Sequence, residues 1–152
     1  MKPWPTAALL IGAFCLARTA EPQSTSAPGN DYTGMYSFLR SGEFVQLNAQ
    51  GGDHLTGFIS RHSDGGKEIF IDHFFEKAEL RDQGIRFSTR RVHGVWFDFK
   101  GAISRGAGKT RSAEGYYQIK GTLIQYTSGT NQEVSSSERT VTLISLPQET
   151  CD

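Results

Sequence analysis

From residue 32 to residue 146 apolar and polar side chains alternate in short runs, and glycine-bearing turns separate the runs. Alternation with a period of two is the pattern of half-buried strands, and no comparable stretch repeats at the helical period. Strands are therefore predicted over 32–39, 43–49, 54–61, 68–75, 85–92, 95–104, 116–126 and 139–146. Between them stand Ser41-Gly42, Gly51-Gly52-Asp53, Asp64-Gly65-Gly66 and Asp82-Gln83-Gly84, residue types that accept positive φ in tight hairpins. Eight hairpin-linked strands predict an all-β domain, a small antiparallel up-and-down barrel closed on itself. The stretches 104–113 and 127–138 read as longer polar loops, and 75–80 as either a short helical turn or a strand. Glycines within the strands, at Gly34, Gly57, Gly94, Gly101 and Gly121, mark bends, bulges or close backbone approach. Residues 96–103 and 116–123 echo one another and read as two similar neighbouring strands.

A chain of 152 residues, 37% of them hydrophobic, suits one domain with one core. Sixteen basic residues balance sixteen acidic ones, so no overall field draws the chain to nucleic acid or an anionic membrane. Ahead of the strands, Lys2 and the apolar run 7–17 have the pattern of a secretory signal, with a run too short to span a bilayer. The expected layout is a signal peptide over 1–20, a flexible segment over 21–31, the barrel domain over 32–147 and a tail over 148–152. This implies a secreted or periplasmic protein without a transmembrane segment after processing. Of the two cysteines, Cys15 falls in the signal and Cys151 in the tail, so no internal disulfide framework is expected.

Gly34-Met-Tyr36, the turn at Ser41-Gly42, the strand 44–48 and Gly52-Asp-His-Leu55-Thr-Gly57-Phe-Ile-Ser60 together resemble the opening strands of avidin-type and lipocalin-type barrels, the calycin group. The resemblance implies an eight-stranded barrel with a ligand pocket at one mouth. It does not extend to biotin. Aligned on Gly34 and Gly57, avidins carry an Asn, a Tyr and a Ser where Phe38, Ile59 and Arg61 stand here, and Trp96 is the sole tryptophan beyond Trp4.

Several strings carry a chemical suggestion that their surroundings weaken. Gly106-Ala-Gly108-Lys109-Thr110 looks like the end of a phosphate-binding loop, but Ile103 stands at the required glycine and a strand, not a helix, follows. Arg81, Arg86, Arg90 and Arg91, with Trp96 nearby, suggest nucleic acid, yet Arg86 and Arg90 alternate with Ile85, Phe87 and Thr89 as the wet face of a strand would. His73 and His93 beside Asp72 and Asp98 suggest a metal, but alternation turns each aspartate away from its neighbouring histidine, so no metal or cofactor is assigned. Glu68, Asp72, Glu76 and Asp98 are close in order without a spacing that assigns catalysis, and no Gly-x-Ser-x-Gly elbow occurs.

Alternation also places some polar residues on the apolar face near strand ends. These are His73, Arg91, His93, Tyr117 and Arg139, the candidate ligand-binding residues. In a barrel, polar groups at the ends of inward faces line the mouths, where a few donors orient a ligand. Two functions follow: a barrel holding a small, partly apolar molecule, or an interaction module such as a hydrolase inhibitor, acting through exposed loops or strand edges; a small enzyme comes third.

Overall fold

The computed structural model describes residues 31–63 and 69–148. The expected signal peptide, Cys15, Cys151, most of the flexible segment and tail, and the Asp64-Gly65-Gly66 turn lie outside the described residues. Among those described, every regular element is a strand: β1 (Gly34–Ser37), β2 (Phe44–Ala49), β3 (Leu55–His62), β4 (Phe70–Arg81), β5 (Gly84–Thr89), β6 (Val95–Arg105), β7 (Tyr117–Ser128) and β8 (Val134–Ile144). Each strand pairs antiparallel with the next, giving one up-and-down sheet in chain order.

The sheet curls because of β4. Its first part pairs with β3 through Phe70 to Phe74, its second with β5 through Phe75 to Arg81, and a bulge at Glu76 separates the two. An extra residue bends a strand and strengthens its twist, which turns the sheet through a corner there. This settles 75–80 as strand: Leu80 is buried and Ala78 half-buried, while Glu79 and Arg81 ion-pair on the other face.

Inward side chains fill the concave side, with Tyr36, Leu47, Ile59, Phe87, Phe97 and Leu123 all fully buried. Phe75, Phe87 and Phe99 stack in sequence, at 4.3 and 5.1 Å between ring centroids. Gly101 and Gly121 face one another across β6 and β7 at the end of this row. A Cβ on Gly101 would stand 2.7 Å from the Phe99 ring, and one on Gly121 2.6 Å. Glycine is therefore required here to seat an aromatic ring on the backbone, and this packing underlies the echo between 96–103 and 116–123.

The expected closed barrel is instead a curled half-barrel. β1 has four residues and β8 eleven, so most of β8 has no partner along its outer edge among the described residues. The two strands meet only near the end of β8, by a bridge between Tyr36 and Ser145. Leu146 N–H donates to the Met35 carbonyl at 2.8 Å, and Ile144 N–H to Ser37 Oγ at 3.0 Å. The expected mobile loop over 127–138 is mostly ladder: β7 continues to Ser128, β8 begins at Val134, and a short turn links them. The segment following β6 is a loop, as expected, pinned by Gly106 and Gly108 N–H donating to the Tyr116 and Gly115 carbonyls.

Candidate functional site

The up-and-down order sends connections alternately to two ends. At the first end lie the turns after β1, β3, β5 and β7; at the second lie the remaining turns and both termini of the described domain. The five candidate residues divide between them.

His73 lies toward the first end, on the concave face opposite Ile59, and is 1% exposed. Its ring meets Phe97 edge-on at 5.2 Å. One ring nitrogen is used in a hydrogen bond to the Arg90 backbone, while Nδ1 has no partner among the described residues. Burial, and after it the Arg61 guanidinium, push the His73 pKa down, against opposing effects from the Arg90 bond and Asp72. The imidazole is accordingly neutral near pH 7, with a lone pair at Nδ1 able to accept one hydrogen bond.

Arg91 and His93 reach the same end but leave the concave face. β5 stops at Thr89, whose hydroxyl accepts the Phe97 N–H at 3.0 Å, and the chain then turns outward. Val92 and Val95 exchange both backbone hydrogen bonds around His93-Gly94, with φ of 49° and 77°. Positive φ at both central residues defines a type I′ hairpin, which holds His93 exposed at the tip. The Arg91 guanidinium lies 5.2 Å from the Trp96 ring centroid and bonds Ser128 Oγ, and Trp96 stacks on Tyr126. Their alternation with Phe87 and Phe97 was real, but both fall where the strands have ended.

Tyr117 is at the second end. It packs edge-on against Tyr32 and Tyr116, with the Arg105 guanidinium 3.4 Å from the centre of the Tyr116 ring. Arg111 pairs with Asp31 at 3.1 Å. Burial works to raise the Asp31 pKa, but bonds from Thr33 and the Arg111 charge hold it below the ordinary value. Tyr36, pushed well up by burial and by Tyr117, donates to the Tyr32 carbonyl at 2.9 Å. These contacts plug the second end with tyrosine and arginine. Arg139 keeps the inward alternation of Val141 and Leu143, opposite Leu123, but is exposed because β8 has left the covered part of the barrel there.

Thus two of the five are inward and enclosed, Tyr117 within the packing of the second end and His73 toward the first. The neighbour of His73, Arg61, 7% exposed on the face of Leu55 and Ile59, was available from the same alternation in β3. Arg86 and Arg90 are exposed while Ile85, Phe87 and Thr89 are buried, as the wet-face reading requires. Among the described residues no group of three or more His, Cys, Asp or Glu gathers to hold a metal, and no helix is long and apolar enough to cross a membrane.

A second feature had not been expected. On the convex face of β2, β3 and β4, Phe44, Phe58 and Phe74 form a cross-strand row with centroids 5.9 and 5.3 Å apart. His62 and Phe70 form a second pair at 4.4 Å. Phe70 and Phe74 are 50% and 52% exposed. The signal was present in the run 69–75, Ile-Phe-Ile-Asp-His-Phe-Phe, which is apolar on both faces where a solvated strand would be polar on one. The other convex surface, over β5 to β7, carries Arg86, Asp98, Lys100 and Thr122 around a groove of about 310 Å³. No protein-family model, curated protein or solved structure matches this chain.

Proposed function

We propose that this chain is a calycin-like, exported interaction module that engages a protein partner through the aromatic convex face of β2, β3 and β4. The exposed Phe74 and Phe70, with Phe58 and Phe44 continuing the row across β3 and β2, carry this reading. Contiguous apolar surface is avoided on a free protein face and marks a contact site where it persists. Aromatic residues are also the side chains that interfaces enrich. The packed interior supports the same choice, since fully buried side chains occupy the space that an internal ligand would need. Secretion or periplasmic location follows from the N-terminal run of the sequence.

A photo-crosslinking residue placed at Phe74 in the producing cells tests the proposal. A discrete adduct is expected from position 74 that is absent from Lys120 on the opposite surface, and it should fade when Phe58→Ser is added. Equal labelling from both positions, or none from 74, would sink it.

The small-ligand reading keeps one specific observation, the enclosed Nδ1 of His73 that lacks a partner. A ligand hydroxyl or amide donating to it would stabilise the domain. Melting shifts across a metabolite panel that vanish in His73→Phe would support this reading, and a flat panel would remove it.

A further inference from the structure

The outer edge of β8 is the longest run of strand backbone without a partner among the described residues. Its direction follows from the bonds at the far end: Ser145 N–H points to Tyr117 of β7, whereas Ile144 and Leu146 N–H point away, to Ser37 and Met35. Alternation then turns the N–H and C=O groups of Thr142, Thr140, Glu138, Ser136 and Val134 away from β7. Long edges are normally blunted by proline, a bulge or short length, and this one, apart from the charges of Glu138 and Arg139, has none of these.

We propose that this edge pairs with the same edge of a second copy, β8 against β8, antiparallel about a two-fold axis through Ser136. A two-fold axis perpendicular to the joined sheet keeps concave residues opposite concave residues, so only partners of equal parity can face. With Ser136 on the axis, Val134 faces Glu138 of the other copy and Ser135 faces Ser137. Glu133, the residue before β8, then faces Arg139, and does so twice by symmetry. Shifting the axis to Glu138 or to Arg139 sets like charges directly opposite, which is destabilising. The chosen register places opposite charges together and gives the exposed Arg139 an acidic partner. The backbone groups of Ser136, Val134 and Glu138 form the hydrogen-bonded pairs.

Sedimentation equilibrium over a wide concentration range, with backbone amide exchange, tests this on the full purified chain. A reversible dimer is expected, with the Ser136 and Glu138 amides slowing as dimer forms. Arg139→Glu should weaken it by about threefold to tenfold per ion pair lost. Glu133→Arg alone, which lies outside the β8 ladder, should weaken it similarly, and the double charge swap should restore it. Ser136→Pro should abolish dimer while leaving the melting curve of the monomer in place, because that N–H points away from β7. A monomer at every concentration would overturn the proposal. So would a dimer indifferent to these changes, or concentration-independent protection of Ser136, which would mean that the edge is covered from within the chain.

Discussion

A neutral imidazole enclosed beside a guanidinium makes the stability of this domain depend on pH. His73 has its pKa lowered from 6.5 by burial first and by Arg61 second, with His93 adding slightly and Asp72 and the Arg90 backbone opposing. The unfolded chain therefore binds a proton that the folded state resists, and stability falls as protons become available. The His73 contribution is fully present above the unfolded value of 6.5 and is lost progressively as pH drops below it toward the folded value. Urea midpoints measured from neutrality down to about pH 5 should decrease, and His73→Phe should flatten that part of the profile. The variant is expected to cost about 1 kcal/mol at neutral pH, because it gives up the hydrogen bond to the Arg90 backbone while removing a buried acceptor that has no partner. An unchanged profile in His73→Phe would assign the effect elsewhere.

At the scale of the element, the strands are held by close approach as much as by alternation. Gly121 is where β6, β7 and the Phe99 ring converge, with the Lys100 carbonyl 2.4 Å from the place a Cβ would occupy. Gly121→Val is expected to destabilise by about 1–3 kcal/mol through overpacking, read as a lower denaturant midpoint at constant slope. The echo between 96–103 and 116–123 was visible in the sequence as a repeat of glycine two residues after an apolar one. That the two glycines stand directly opposite each other required the β6–β7 register. The stretch 127–138 shows the opposite failure of local reading: Ser, Thr and charged residues suggested a loop, whereas they belong to strands exposed on both faces. Without a buried face there is no alternation to see.

For the whole molecule, the second end is closed and the seam is open elsewhere. The closure converges on Ser145, whose hydroxyl accepts the Tyr117 N–H at 2.9 Å while its own N–H donates to the Tyr117 carbonyl at 3.0 Å. The same residue forms the bridge to Tyr36. Ser145→Ala should leave the Tyr117 amide buried without that acceptor and lower unfolding stability by about 1–3 kcal/mol. Loss should appear first as faster amide exchange at β1 and the end of β8, the two strands that meet nowhere else.

What the sequence determined by itself is local. Alternation marked eight strands, and glycine-bearing pairs marked the hairpins, because side-chain direction and positive φ are properties of a few neighbouring residues. Parity placed His73 on the inward face correctly. Parity also drew in Arg91 and His93, and only the tertiary structure showed that their strands end first and that a type I′ turn carries His93 into solvent. The bulge in β4, the short β1 and the open edge of β8 were decided by packing across the sheet, between residues far apart in the chain. The aromatic convex face belongs to the same class: the run 69–75 is apolar on both sides, and which side the core covers depends on the direction in which the whole sheet curls.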